Sequence, residues 1–214
     1  PLSTLHFPIA FPEVFLNKSN GFNVILGNPP WEVVKVEEKK FWARYFPGLM
    51  GKSQQEYEEF KLKVYQKRPD LVLEYSSETR KQDLNRKIIN SGNYPGISTG
   101  DIDLYKAFCW RFWHVTSNYL GKIGVVLPRS AFTAKGSANF RKKLFTTAKY
   151  ISVTTLHNTG KWVFDIHAQY TISLICLSKD SGDKKGIELK GPFNSLNNFL
   201  NGITKPSFRF TSKE

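Results

Sequence analysis

The sequence predicts an α/β fold built on a mostly parallel sheet, with a helical insertion. Two short apolar runs, residues 22–27 and 122–128, end in Gly and Pro and read as buried strands. Between them Tyr105, Phe108, Cys109, Phe112 and Thr116 recur at the i, i+3, i+4 spacing of an amphipathic helix. Strand, helix, strand in alternation is the pattern of a parallel sheet with crossover helices.

Each element has its own signal. Residues 22–27, Phe-Asn-Val-Ile-Leu-Gly, suit a strand closed by glycine. Residues 35 to about 93 are rich in Glu, Lys, Gln and Arg, with Tyr57, Phe60, Val64 and then Leu84, Ile88 at helical spacing. They predict two or three amphipathic helices with a break near Pro69, where the ring removes an N–H and fixes φ. Asn93-Tyr94-Pro95-Gly96 marks a turn. Asp101 is expected to cap the next helix and Ser137 a later one that carries Phe140 and Leu144. Residues 150–156 and 170–178 are rich in β-branched side chains and read as strands. Residues 180–214 turn polar, with Gly, Asn, Ser and Pro, and are expected to be a linker or the start of a further region.

Composition narrows the function classes. The 214 residues allow one large domain or two small ones, and 17 Phe, 9 Tyr and 5 Trp rule out a disordered basic tail. No apolar run reaches the length of about 18 residues that a membrane span needs. The first residues lack the basic and apolar segments of a signal peptide. Cys109 and Cys176 lie among apolar neighbours and are expected to be buried thiols of a reducing compartment. The chain opens on Pro1 and its one Met is Met50, so it is expected to be a piece of something longer.

The formal charge of +13 is uneven: residues 1–100 hold 14 basic and 11 acidic side chains, residues 101–214 hold 17 and 7. Such a field concentrates polyanions, of which nucleic acid is the commonest. By itself this puts nucleic-acid binding at roughly even odds, because basic runs such as Arg141-Lys142-Lys143 commonly lie on solvated helix faces.

The stretch with chemistry is Gly27-Asn28-Pro29-Pro30-Trp31, directly after the first strand. Ligands of open α/β sheets bind beyond the carboxyl ends of strands. Two prolines stiffen the backbone and remove two donors, leaving the Asn28 side-chain oxygen and the Pro29 carbonyl as acceptors for one NH₂ group. Trp31 supplies a flat face for a planar ring. From residue usage, such a tetrapeptide arises by chance in roughly 0.2% of chains this long. A packed indole at a strand end is the plainer alternative.

These residues resemble the hallmark of the amine-methylating DNA methyltransferases, in which Asp, Asn or Ser is followed by Pro-Pro and an aromatic. The likeness extends along the chain. Residues 11–15 and 21–31 resemble the lead-in of large adenine-specific restriction–modification methylases. Residues 100–108, Gly-Asp-Ile-Asp-Leu-Tyr-Lys-Ala-Phe, are similar to the family's next block, a helix beside the cofactor; residues 121–128 to the strand that follows; residues 136–145 to the helix after it. Residues 163–168 with 171–175 look like the final block, in which Phe164 matches the aromatic that stacks on the flipped-out base. The tetrapeptide is specific; the other blocks are individually weak.

The resemblance implies a Rossmann-like sheet and methyl transfer from S-adenosylmethionine to the exocyclic amine of a flipped-out adenine in double-stranded DNA, in a bacterial or archaeal cytoplasm. It implies catalytic roles for Asn28, Pro29, Pro30 and Trp31, base stacking by Trp31 and Phe164, cofactor-adjacent places for Asp103 and Tyr105, and phosphate contacts for Arg141, Lys142 and Lys143. A nuclease or target-recognition domain on the same chain is an expected companion. The implied layout is a lead-in and strand at 1–34, a helical insertion flanking the DNA cleft at 35–95, the rest of the α/β core at 96–179, and 180–214 as linker or start of a target-recognition region. The sequence departs from the family in one respect. The aromatic-x-Gly-x-Gly turn that cradles S-adenosylmethionine, and the acid that takes its ribose, are absent before Asn28, so this chain is expected to be inactive alone.

Three rivals stand beside this reading: a cytosine-amine methyltransferase, which more often has Ser at the first position; a methylase of protein glutamine, which is not expected to be this basic; and a non-catalytic DNA-binding or specificity module. His157, Asp165 and His167 match no standard metal spacing, and a metal site there has a prior of roughly one in twenty. Trp42, Tyr45 and Phe46 fit core packing better than base stacking.

Overall fold

In the computed structural model, which describes residues 5–97, 100, 102–165, 167–179 and 186–210, the apolar runs become a six-stranded sheet. Its strands are β1 (Val24–Gly27), β2 (Lys122–Pro128), β3 (Tyr150–His157), β4 (Thr171–Ser178), β5 (Gly186–Phe193) and β6 (Phe208–Phe210), in the spatial order β1-β2-β4-β3-β5-β6. The sheet is mixed, not mostly parallel. β1 with β2 and β3 with β5 are parallel; β4 runs antiparallel to both β2 and β3, and β6 to β5. Between β3 and β4 the described residues hold a 3-10 turn at Thr159–Lys161 and no crossover α-helix, and β4 returns antiparallel beside β3.

Register decides what is buried. Ile123, Leu177 and Ile151 are aligned across β2, β4 and β3, and so are Val125, Ile175 and Val153; all are at most 5% exposed. Against this half of the chain lie α6 (Leu104–Val115), α7 (Ser130–Thr133) and α8 (Ala138–Thr147). Phe140 of α8 meets the rings of Tyr105 and Trp110 of α6 edge-on, each with centroids 6.3 Å apart. At Gly27 the α6 side chains come close to β1: a Cβ there would stand 3.1 Å from the Phe112 ring. Ahead of β1, α1 (Phe7–Ala10) and α2 (Pro12–Phe15) set Phe7, Phe11 and Phe15 around Phe22 at 5.5–6.2 Å.

The alternate face is more open near the start of β1. Val24 and Leu26 are 59% and 78% exposed and, with Gly124, Cys176 and Arg209, line a cavity of about 570 Å³. Cys176, expected to be buried, is exposed because its position in β4 points to this face; Cys109 is buried on α6 as expected.

Residues 186–210, expected as linker or target-recognition start, instead add β5, α9 (Leu196–Gly202) and β6 to the sheet. Gly191 and Pro192 fall within β5 and Asn197, Asn198 and Asn201 within α9, while Ile187, Glu188 and Leu189 pair with β3 and β6. Asp101, the expected cap of α6, lies outside the described residues. Asp103 occupies the cap position, though its side chain makes no capping hydrogen bond. Ser137 precedes α8 as expected, but its hydroxyl faces Tyr105 rather than the helix N–H groups.

Residues Val33–Ser91 form a separate compact unit. It contains α3 (Glu38–Ala43), α4 (Gln54–Lys67) and α5 (Pro69–Ile89), with the break at Pro69 that the sequence predicts. Ser53 and Glu56 form a reciprocal capping box at the start of α4. Phe41, Trp42, Leu49, Tyr57, Val64 and Leu71 make the unit's core, and Phe46 packs against it. Outside that core, Arg44 makes a two-pronged ion pair with Glu78 and Lys61 pairs with Glu38 at 2.9 Å.

Candidate functional site

Strand directions gather the chemistry at one end of the sheet. β1, β2 and β3 finish there, at Gly27, Pro128 and His157, and β4 begins there at Thr171. The segments that leave this end carry Asn28 to Trp31, Arg129, and the 158–170 loop with Phe164.

The tetrapeptide follows β1 without a gap. The last rung of the β1–β2 ladder is Gly27 with Val125. Neither Pro29 nor Pro30 has an N–H to continue it. The Trp31 indole N–H donates instead to the Val126 carbonyl at 3.3 Å, one residue beyond that rung. This holds the half-buried indole against β2. Leu104 N–H then donates to the Glu32 carbonyl at 2.8 Å, tying the start of α6 to the residue after Trp31. Pro29 is buried, and Asn28 is exposed at the strand end. Among the described residues, neither the Asn28 side chain nor the Pro29 carbonyl has a hydrogen-bond partner. Two free acceptors on a stiff backbone beside an aromatic face can receive both N–H groups of an amine on a flat ring.

Phe164 is half-buried in the β3–β4 loop, at the same end of the sheet. In the sheet order, β2 and β4 separate the strands that precede Trp31 and Phe164.

The other expected site residues divide. Asp103 is engaged with Lys106, Nζ to Oδ2 2.8 Å, and that lysine is 2% exposed. Tyr105 is 1% exposed; its hydroxyl stands 3.4 Å from Ser137 Oγ, and burial pushes its pKa up to about 12. Both stand at the start of α6, on either side of Leu104, whose N–H makes the Glu32 tether. Arg141 turns inward, with Nη1 donating to the Ala131 and Ala134 carbonyls at 3.3 and 2.7 Å, so it braces the segment after β2. Lys142 and Lys143 are exposed on α8 and open to an anion.

Sequence reasoning missed a second concavity at this end, of about 550 Å³, between the end of β2 and the start of β4. Arg129, His167, Gln169 and Tyr170 line it, combining a cation, an aromatic ring and an amide. Arg129 directly after a strand closed by Pro128 was the available signal. Lys106 was missed too, since a lysine in an amphipathic helix gives no sign of being buried. Among the described residues no three His, Cys, Asp or Glu side chains converge as a metal site would require.

The acceptor side of the implied reaction fits these residues; S-adenosylmethionine does not. Among the described residues β1 is the edge of the sheet, and no glycine turn or acid stands on a strand beside it. The described residues therefore do not make up the cofactor's site.

No protein-family profile matches the chain, and no curated protein matches it. Solved structures similar to it include the following three. An "ATP-dependent Type ISP restriction-modification enzyme LlaBIII bound to DNA" is 18% identical with a TM-score of 0.49, over 89% of this chain and 12% of that one. The DrdV–DNA complex is 16% identical with a TM-score of 0.49, over 89% of this chain and 17% of that one. A nuclease-deletion mutant of the Type ISP restriction-modification enzyme LlaGI with a DNA substrate mimic is 14% identical with a TM-score of 0.48, over 89% and 17%. The chain spans between 12% and 17% of the length of these proteins.

Proposed function

We propose that this chain holds the acceptor base in an adenine-specific, amine-methylating DNA methyltransferase of a restriction–modification system. The observation that carries the reading is the pair of acceptors, Asn28 Oδ1 and Pro29 O, without a partner among the described residues, at the carboxyl end of β1 beside the Trp31 indole.

An adenine amine lies inside the duplex, so the base has to be extruded before these groups reach it. Asn28 Oδ1 and the Pro29 carbonyl then accept its two N–H groups. That draws the nitrogen lone pair out of conjugation with the ring and fixes its direction. Trp31 and Phe164 give the extruded ring faces to lie against. Arg129, Lys142 and Lys143 supply cations for the phosphates on either side. S-adenosylmethionine is the donor this reading implies. The residues of this chain act on the acceptor, by positioning and electrostatics.

The test is Asn28→Ala in the intact protein, with adenine methylation of DNA and DNA affinity measured together. Methylation is expected to fall by at least about a hundredfold, in line with removal of one positioned hydrogen-bonding group, with DNA affinity and melting temperature unchanged. Wild-type turnover in the variant would sink the assignment. DNA binding by a wild-type protein that methylates no base would favour a non-catalytic binding module.

A further inference from the structure

Asn158, the residue after β3, is completely buried, and its side-chain oxygen, side-chain NH₂, backbone N–H and backbone carbonyl all make hydrogen bonds. Its side-chain oxygen accepts from the backbone N–H groups of Val163 at 3.0 Å and Phe164 at 3.2 Å. Its side-chain NH₂ donates to the Phe164 carbonyl at 2.9 Å. Its own N–H donates to the Tyr170 carbonyl at 3.1 Å, and its own carbonyl accepts from Lys161 N–H at 2.9 Å. One residue thus joins the end of β3, both sides of the Phe164 peptide and the approach to β4.

The loop is wound to make this possible. Gly160 and Lys161 both have positive φ, 71° and 59°, which turns the chain back over Asn158. A lysine held there is uncommon and must be stabilised by its surroundings. Here the Lys161 ammonium pairs with Asp165 at 2.7 Å and the Trp162 indole donates to the His157 carbonyl at 2.7 Å. The needs of the Phe164 segment are two acceptances and one donation within a single side chain's reach. A short carboxamide meets them; a carboxylate lacks the donor and a hydroxyl lacks the span.

We infer that Asn158 is a positioning residue for base recognition, acting by fixing the backbone of Phe164 so that its ring is presented to the extruded base. The inference rests on the base-stacking reading of Phe164. A buried amide that accepts two hydrogen bonds and donates one within the loop favours that loop conformation, because alternatives leave buried polar groups unpaired.

The experiment uses the intact protein and a duplex carrying 2-aminopurine at the adenine it methylates, whose emission reports extrusion and stacking. Asn158→Asp, Phe164→Ala and the double variant are compared for emission on that duplex and for methylation kinetics on the unmodified duplex, since 2-aminopurine lacks the 6-amino group of adenine. Asn158→Asp is expected to lower kcat about tenfold while KM for DNA changes less than about twofold, as for a group acting on the bound geometry. The double variant is expected to match Phe164→Ala, the non-additivity of residues acting as one unit. The pH profile adds a readout that general loosening would not move. As pH falls from about 8 to about 6, Asn158→Asp is expected to regain emission, since burial favours the neutral carboxyl, which can donate as the amide does. Additive losses, or no recovery at the lower pH with the protein still folded, would overturn the clamp while leaving the role of Phe164 standing. Wild-type emission and kcat in Phe164→Ala would overturn both. Should Asn158→Asp fail to fold, Gly160→Ala strains the same turn at φ 71° and gives the same test of additivity with Phe164→Ala.

Discussion

Single residues at this site are set by how their polar atoms are satisfied. Among the described residues Asn28 Oδ1 and the Pro29 carbonyl have no partner, whereas both carbonyl oxygens of Asn158 accept hydrogen bonds. Lys106 is the costliest case: a buried ammonium whose ion-pair partner is Asp103, at 2.8 Å. Removing one member of such a pair leaves an uncompensated charge. Asp103→Asn is therefore expected to destabilise the sheet-bearing unit by about 2–3 kcal/mol, below the figure for fully buried pairs because Asp103 is partly exposed. Thermal or urea unfolding measures it. Asp103→Asn with Lys106→Met should recover most of the loss, since an apolar residue of similar length leaves no charge to pair. If Asp103→Asn alone unfolds like wild type, the pair has no structural weight. The Asn-Pro-Pro-Trp segment could be read in advance because its chemistry is local. Lys106 and Asn158 could not, because burial is conferred by residues distant in the chain.

At the scale of elements, β5 and β6 show how polar composition misleads. Glu188 of β5 is hydrogen-bonded by Ser207, just before β6, and by Tyr150 of β3. Those two bonds, Ser207's first, hold its carboxyl below the usual value of 4.5. A carboxyl depressed in the folded state contributes stability above its unfolded pKa, and that contribution is lost as pH falls through the lower folded value. Acidification from about pH 5 downward is thus expected to release the β5–β6 end before the β2–β4–β3 centre, followed by amide hydrogen exchange. Glu188→Gln should flatten that pH dependence. Equal protection of both regions throughout the acid range would contradict it. The helices were easier to anticipate. Pro69 divides α4 from α5 by a backbone effect that holds in any context, and the Ser53–Glu56 box starts α4 by local hydrogen bonds. The strand at 186–193 lacks such a local signal; it exists because β3 offers an edge to pair with.

The whole molecule divides into two compact units, each with its own apolar centre. The 33–91 unit depends on Trp42, wholly buried with Phe41, Tyr65 and Tyr75 around it at ring distances of 4.9–5.8 Å. Trp42→Ala is expected to cost this unit about 3–5 kcal/mol. Hydrogen exchange should quicken in α4 and α5 while protection in β2, β3 and β4 stays within about twofold, as for separate cooperative units. Equal loss of protection in both would mean one cooperative domain. The sequence by itself determined the apolar strands, the helical character of residues 38–89, the proline break at 69 and the stiff, acceptor-rich Asn-Pro-Pro-Trp segment, because propensity, periodicity and proline geometry act within a few residues. Only the tertiary structure decided that the sheet is mixed, that Cys176 is exposed, that Arg141 braces a loop, that Lys106 is buried and that Asn158 clamps Phe164. Those depend on which strands pair and which faces are covered, and pairing joins residues whose separation along the chain carries no local trace.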